Sequence, residues 1–119
     1  MKNLLTQRLS LLGNEAHQAL LADGLRGIER ETLRVSRQTE LARTPHPIGL
    51  GSALKHPQIT TDYAETLLEF ITPAEHDIAT ALEKLDAIHR FAYTQMGPEL
   101  LWSQSMPGPL PDESEIDIA

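Results

Sequence analysis

The chain has 119 residues, enough for one modest domain with a core and too few for two. Its formal net charge of −7 argues against a nucleic-acid or anionic-membrane partner, because phosphate binding needs a basic surface. The sequence has no cysteine, which excludes a disulfide framework and a thiolate metal site. No apolar stretch is long enough for a membrane span or a signal peptide, so we expect a cytoplasmic protein.

Two short helices are predicted at the start of the chain. Leucines at helical spacing over residues 2–12 predict the first helix, which Gly13 can end. Asn14 is a suitable N-cap for a second helix that ends at Gly24 and places Leu20 on its inner side.

A strand is predicted next. Residues 27–35 alternate and contain β-branched side chains, which favours a strand. Because side chains alternate between the two faces, Glu29 and Glu31 share one face, roughly 7 Å apart. The polar segment 36–40 predicts a turn, after which residues 41–43 can return as a short hairpin partner.

A second strand is predicted after a loop. Prolines and glycines over residues 44–58 predict the loop, and residues 64–71 have the apolar character of a strand. Asp62 and Glu69 are an odd number of residues apart, so one uninterrupted strand would place them on opposite faces. We therefore expect Asp62 in the turn that enters the strand, where alternation need not hold.

One long helix is predicted over residues 73–96. Thr72 can cap it, Pro73 suits its first position, and Glu75 lies three residues after the cap, as in a capping box. Gly97 can end the helix. Its predicted apolar stripe consists of Ile78, Leu82, Leu85, Ile88, Ala92 and Met96.

The chain divides at about residue 105. Residues 1–105 contain the predicted helices and strands and are interpreted as one domain. Residues 106–119 form a Pro-rich, acidic tail with little to bury. We expect this tail to be poorly ordered unless something outside the chain holds it.

The candidate functional residues are four carboxylates within otherwise apolar, strand-like segments: Glu29, Glu31, Asp62 and Glu69. Carboxylates that lie close together repel each other unless a cation lies between them or water screens them. Oxygen ligands suit Mg²⁺ or Mn²⁺, and metal ions that bridge phosphate oxygens are a standard device of phosphoryl transfer. The alternative is a solvated strand face with ion pairs worth about 0–1 kcal/mol each.

The remaining candidates are weaker. Tyr63, beside Asp62, can line a substrate pocket or serve as half-buried packing. The five histidines show no metal-ligand spacing, and no serine lies in a nucleophile-elbow context. We therefore assign no catalytic residue from the pattern.

Four sequence blocks resemble, in order and spacing, the N-terminal region of bacterial glutamate–cysteine ligase (γ-glutamylcysteine synthetase). They are Gly-Ile-Glu-Arg-Glu-Thr-Leu-Arg-Val (27–35), Gly-Ser-Ala-Leu (51–54), Ile-Thr-Thr-Asp-Tyr-Ala-Glu-Thr-Leu-Leu-Glu-Phe-Ile-Thr-Pro (59–73) and Trp-Ser-Gln-Ser-Met-Pro (102–107). The third block is long and specific. The resemblance extends from about Gly24 to Met106, and more loosely to Ala119.

The resemblance implies an ATP-dependent ligase that joins the γ-carboxylate of L-glutamate to the amine of L-cysteine through a γ-glutamyl phosphate, the first step of glutathione biosynthesis. It implies an α+β fold, with part of a curved antiparallel sheet like that of the glutamine synthetase catalytic domain. The four carboxylates match acidic positions that hold Mg²⁺ or Mn²⁺ or contact the substrate amine. Tyr63 matches an aromatic position of the cysteine pocket.

Enzymes of this family are several times longer than this chain. The resemblance therefore implies an incomplete N-terminal part of the catalytic domain, inactive alone, which lacks the remaining metal ligands and the groups that meet the nucleotide phosphates. A sheet without its neighbours exposes strand edges, so we expect self-association. Two alternatives stay open, a non-catalytic binding or scaffold module with solvated carboxylates and a metal-dependent phosphohydrolase.

Overall fold

A four-stranded antiparallel sheet lies at the centre of the computed structural model, which describes residues 3–119. Its strands are β1 (Glu29–Val35), β2 (Ile59–Asp62), β3 (Ala64–Ile71) and β4 (Leu100–Leu101). The helices are α1 (Leu4–Leu12), α2 (Glu15–Ala22) and α3 (Ile78–Gln95), with 3₁₀ turns at Ile48–Leu50 and Glu113–Glu115. The strand order is β2-β3-β1-β4. The predicted α+β class with an antiparallel sheet is confirmed.

Helix α3 covers one face of the sheet. Residues of β3 alternate strictly between buried and partly buried, so Leu68 and Phe70 point toward the helix and are completely buried. Fully burying side chains of this size contributes roughly 1.5–3 kcal/mol each. The core cluster consists of Leu50, Ile59, Leu68, Phe70, Ile88, Ala92 and Met96.

The inner face of α3 differs from the predicted stripe at its N-terminal end. Ile78 and Leu82 are 57% and 52% exposed, whereas Ala81 is buried in their place. Ile88 and Ala92 occupy the core as predicted. A pattern of large apolar residues does not reveal that a small residue is buried at this end of the helix.

The long helix is confirmed, but its predicted capping box was wrong. α3 begins at Ile78, and its N-cap is Asp77, whose carboxylate accepts a hydrogen bond of 2.8 Å from the Thr80 amide. Thr72 instead pairs with Ile28, since its Oγ1 accepts from the Ile28 amide at 2.8 Å and its own amide donates to the Ile28 carbonyl at 2.9 Å.

Backbone pairing continues beyond Thr72. The amides and carbonyls of Arg26 and Glu75 exchange two hydrogen bonds of 2.8 and 2.9 Å. The Glu75 carboxylate pairs with Lys84 rather than capping a helix. Residues 72–75 are therefore held extended against residues 26–28, which delays the start of the helix.

Strand β2 was not predicted. Ile59–Asp62 pairs antiparallel with β3, so Asp62 ends a strand rather than lying in a turn before one. Tyr63 makes the reversal with a positive φ of 59°, a conformation that is uncommon for a residue other than glycine. The predicted loop before it is correct apart from the 3₁₀ turn, and residues 41–43 form a single bridge, Val35 to Leu41, rather than a strand.

The acidic tail runs back to the start of β3. The Glu65 amide donates to the Asp117 carbonyl at 3.0 Å, and the Ala119 amide donates to the Tyr63 carbonyl at 3.0 Å. Arg43 and Glu115 form an exposed ion pair at 2.7 Å. Poor order of residues 106–119 in solution stays a prediction. A disordered tail would have to lose the two backbone hydrogen bonds and the ion pair described here.

The predicted helices α1 and α2 are confirmed, with Asn14 accepting from the Ala16 amide at 3.0 Å as the N-cap of α2. Residue 2, with which the first predicted helix began, lies outside the described residues. The predicted inner side of α2 is not buried, because Leu20 is 71% exposed. The radius of gyration is 19.7 Å, against about 13.5 Å expected for a compact chain of this length. Neither α1, α2 nor α3, the three described helices, is long and apolar enough to cross a membrane.

Candidate metal centre

Two of the predicted site residues face each other across neighbouring strands. Glu31 of β1 is in register with Glu69 of β3, and Thr60 of β2 lies on the other side of Glu69. Directly opposed residues of an antiparallel pair place their Cβ atoms about 4.5–5.5 Å apart on the same face. Because its neighbours Leu68 and Phe70 point into the core beneath α3, Glu69 points to the opposite face.

The other two carboxylates lie beside this pair. Glu29 is two residues from Glu31 along β1, so it shares the same face. Asp62 ends β2, where the pairing register with β3 shifts between Thr61 and Asp62. The hairpin thus resolves the odd spacing of Asp62 and Glu69, because they belong to two strands rather than to one.

The electrostatics of Glu69 show that the four carboxylates act on one another. Burial raises the pKa of Glu69, and the negative charges of Glu29, Asp62 and Glu31 raise it further, in that order. Each cause disfavours the ionised carboxylate. The structure therefore gathers the four predicted residues, which we call the carboxylate cluster, into one field of negative charge.

No member of the carboxylate cluster forms any of the five salt bridges found within residues 3–119. Arg30 lies between two of these glutamates in sequence but points to the other face, where its Nη2 donates to the Trp102 carbonyl at 3.4 Å. This arrangement lacks the cross-strand ion pairs that a purely solvated charged face would be expected to use.

The donor chemistry of the carboxylate cluster fits Mg²⁺ or Mn²⁺, which prefer carboxylate oxygens. Within the described residues, no group of three or more acidic or histidine side chains is close enough to enclose a metal ion. A single ion could therefore take no more than two ligands from these side chains, a number compatible with Mg²⁺, which fills its remaining positions with water and substrate phosphates.

A cavity of about 600 Å³ adjoins the carboxylate cluster. Glu31 lines it together with Leu33 of β1 and Leu67 of β3, and Trp102 and Ile118 complete an apolar part of its wall. Tyr63 also lines the cavity and is 74% exposed, and its role in substrate binding stays a prediction. A larger cavity of about 850 Å³ beside residues 36–44 is lined by none of the four carboxylates.

A buried ion pair beneath the sheet was missed by sequence reasoning. Arg34 is fully buried on the face toward α3, where its Nη1 donates to a Glu99 carboxylate oxygen at 2.8 Å and to Thr44 Oγ1 at 2.8 Å. Burial, and then the charge of Arg34, lower the pKa of His46, whose amide donates to Glu65 at 3.0 Å. The inward position of Arg34 in the strand alternation was the available signal, although its partners lie far away in sequence.

The sequence model of glutamate–cysteine ligase matches residues 9–119. The chain belongs to the glutamate–cysteine ligase family. A glutamate–cysteine ligase from Janthinobacterium sp. (strain Marseille) is 67% identical over all 119 residues, and one from Azotobacter vinelandii (strain DJ) is 60% identical. The chain spans 22% of the length of each of these relatives.

Two solved structures of larger enzymes contain the same architecture. The glutamate–cysteine ligase of Francisella tularensis in complex with AMP aligns with a TM-score of 0.77 and 42% identity, over 80% of this chain and 19% of that one. A bifunctional glutathione synthetase from Pasteurella multocida aligns with a TM-score of 0.81 and 31% identity, over 98% of this chain and 15% of that one. The resemblance on which the sequence analysis depended is therefore confirmed.

Proposed function

We propose that this chain forms one wall of the active site of an ATP-dependent glutamate–cysteine ligase, with the carboxylate cluster holding Mg²⁺ or Mn²⁺. The observation that carries the proposal is the strand register, which sets Glu31 directly opposite Glu69, with Glu29 on the same face and Asp62 at the end of the adjacent strand. This arrangement concentrates negative charge in one field, which also raises the pKa of Glu69. Bound divalent ions would neutralise that field and screen the charge of ATP phosphates, which is the main requirement of phosphoryl transfer.

The reaction proposed for the whole enzyme has two steps. The γ-carboxylate oxygen of L-glutamate attacks the γ-phosphorus of ATP, which forms a γ-glutamyl phosphate and releases ADP. The amine of L-cysteine then attacks the activated carbonyl, loses a proton and displaces inorganic phosphate. The carboxylate cluster supplies oxygen ligands near the site of phosphoryl transfer, and the groups that complete the chemistry come from the rest of the enzyme. We expect the isolated 119 residues to be inactive.

Tyr63 is proposed to contact the cysteine substrate. Its side chain is exposed at the reversal between β2 and β3 and lines the same cavity as Glu31. That cavity combines apolar surface with the carboxylates of Glu31 and Glu113, which suits a small substrate with an apolar side chain and a charged amino group.

The cytoplasmic location of the enzyme also stays a prediction.

The proposed function can be tested in a full-length chimera, in which this chain replaces the matching region of the Janthinobacterium ligase. We expect Glu31→Gln and Glu69→Gln each to lower kcat/KM by at least about 100-fold, with a higher requirement for Mg²⁺, because an oxygen ligand loses its charge. Glu83→Gln, on the exposed surface of α3, is the matched control and leaves activity unchanged. Retention of activity and of the Mg²⁺ requirement by both variants would contradict the proposal.

The role of Tyr63 has a separate test in the same chimera. Tyr63→Ala is expected to raise KM for cysteine while KM for glutamate and ATP stays unchanged, because contact area with one substrate is lost. Tyr63→Phe keeps the ring and serves as its control. Equal KM values for cysteine in Tyr63→Ala and the unsubstituted chimera would remove Tyr63 from the substrate site.

A further inference from the structure

A pair of leucines lies beside the carboxylate cluster on the same face of the sheet. Leu33 of β1 is in register with Leu67 of β3, and each lies two residues along its strand from a member of the opposed pair Glu31 and Glu69. Two residues along a strand correspond to roughly 7 Å, so an apolar strip adjoins the acidic one. Both leucines are partly buried and line the cavity of about 600 Å³. One small molecule can therefore contact both the acidic and the apolar part of this cavity.

Trp102 bounds the apolar part of the cavity on one side. Its amide donates to the Leu33 carbonyl at 2.8 Å, and its carbonyl accepts from Thr32 Oγ1 at 2.8 Å, so its backbone is fixed to β1. Its side chain lines the same cavity as that of Leu33. Tyr63, which follows the opposite edge strand β2, lines the cavity as well. Aromatic side chains thus stand at both ends of the apolar strip.

The indole of Trp102 is held by the loop that follows it. Its Nε1 donates to the Met106 carbonyl at 2.7 Å. Gly108 packs against the ring so closely that a Cβ atom at this position would lie 3.2 Å from Cη2 and 3.4 Å from Cζ2 of the indole. Carbon atoms in favourable contact are about 3.5–4.0 Å apart. The ring therefore has no room to retreat toward Gly108, and it forms a fixed wall of the cavity.

We propose that Trp102 sets the upper size limit for the side chain of the amino acid that accepts the γ-glutamyl group, with that side chain lying over Leu33 and Leu67. This inference rests on the proposed function. In the ligation, the acceptor amine forms the new bond to the γ-carbonyl carbon and phosphate leaves, so no side-chain atom of the acceptor reacts. Selection among amino acids must then come from the cavity walls, where one methylene group changes kcat/KM by about 10- to 200-fold.

Unbranched acceptor amino acids test this limit in the Janthinobacterium chimera. L-α-aminobutyrate has a methyl group in place of the thiol of cysteine, and L-norvaline has one methylene group more. We expect Trp102→Leu to raise the ratio of kcat/KM for norvaline to that for α-aminobutyrate at least about tenfold, while KM for glutamate and ATP stays unchanged. Phe91→Leu, on α3 and outside the cavity, is the matched control and leaves the ratio unchanged. An unchanged ratio in Trp102→Leu would overturn the proposal.

Gly108→Ala is a second variant, which keeps the indole in place of removing it. The added Cβ must displace the ring by a few tenths of an ångström. Gly108 does not line the cavity, so we expect the displaced ring to narrow the apolar part. The same kcat/KM ratio should then fall at least about threefold, opposite to the change in Trp102→Leu. A ratio that rises or stays constant in Gly108→Ala would contradict a size limit set by the ring.

A binding measurement separates this inference from the proposed function. Trp102 is the single tryptophan of the chain, so incorporation of fluorotryptophan places one fluorine label in this part of the chimera, and its NMR signal is assigned by its loss in Trp102→Phe. With L-glutamate and a non-hydrolysable ATP analogue present, the signal should shift during a titration with L-α-aminobutyrate. No shift in a chimera that ligates would overturn the role of Trp102 alone. A shift in a chimera that does not ligate would support the acceptor site and contradict the proposed reaction.

Discussion

Glu69 is the member of the carboxylate cluster whose pKa responds to the charges of the other three carboxylates. Its pKa is raised by burial and by three neighbouring carboxylates, so its ionised form is disfavoured in the folded chain. In the metal-free protein, Glu69 therefore contributes stability that is fully present below its ordinary pKa of 4.5. That contribution is lost as the pH rises through the raised pKa of the folded state.

Glu69→Gln should remove this pH dependence, because the amide is never ionised. We expect the variant to gain stability relative to the natural chain as the pH rises above 4.5, without added metal. Urea denaturation at a series of pH values measures the difference, with Glu83→Gln as the control. A difference between the natural chain and Glu69→Gln that does not change with pH would contradict the coupling.

The buried ion pair of Arg34 and Glu99 predicts strong non-additivity. Removing one partner leaves an uncompensated buried charge, so Arg34→Met and Glu99→Leu should each lower the free energy of unfolding by about 3 kcal/mol or more. The double variant should cost clearly less than the sum, because both charges are gone. Urea denaturation of the three variants checks this, and simple additivity would show that the pair does not act as a unit.

The individual residues show what sequence can and cannot predict. The four carboxylates were found because charge within an apolar strand is a local pattern, and the alternation of β1 places Glu29 and Glu31 together. The burial of Arg34 could not be found in this way, because Thr44 and Glu99 approach it only after the loop and the end of α3 have folded against the sheet.

The start of α3 is set by long-range strand pairing rather than by the local sequence. Thr72, Pro73 and Glu75 have the spacing of a capping box, yet long-range pairing with residues 26–28 occupies Thr72 and Glu75. The backbone pairing of residues 72–75 with residues 26–28 therefore outweighs the local preference for a helix N-cap at Thr72. The β2–β3 hairpin was missed for a related reason, since Tyr63 at positive φ lacks the glycine or asparagine that announces such a turn.

Asp77→Ala should therefore destabilise α3, because the Thr80 amide loses its acceptor. We expect a fall in Tm of a few degrees by circular dichroism. The hydrogen bonds from Thr80 also lower the pKa of Asp77, so the cap contributes above the ordinary pKa of Asp77 and is lost as the pH falls. Glu75→Ala is the comparison that separates the two N-cap assignments, because glutamine could still complete a capping box. A larger loss of stability in Glu75→Ala than in Asp77→Ala would favour the capping box.

The whole molecule has one sheet covered by a helix on one face only. β2 and β4 are the edges of the described sheet, and one sheet face carries the carboxylate cluster instead of a packed helix. From this we expect the isolated chain to self-associate at high concentration. Light scattering over a concentration series measures the mass, and a monomer throughout the series would contradict the expectation.

The elongated shape could not be predicted from the sequence, although helices α1 and α2 could. Leucine spacing predicts amphipathic helices but does not say which surface receives them. In this chain the receiving surface is not among the described residues, so the leucines stay exposed and the radius of gyration exceeds that of a compact domain. Helix existence is a local property, whereas helix docking depends on the whole polypeptide.

Paramagnetic broadening of amide NMR signals by Mn²⁺ is the measurement that decides whether the carboxylate cluster binds divalent cations. The acidic tail supplies an internal control, because Asp112, Glu113 and Glu115 also lie close together but on a solvated 3₁₀ turn. At low Mn²⁺ we predict that amides of residues 29–31, 61–62 and 69 broaden first, and that Glu31→Gln/Glu69→Gln abolishes this preference. Equal broadening everywhere, or broadening that begins in the tail, would contradict binding of divalent cations by the carboxylate cluster.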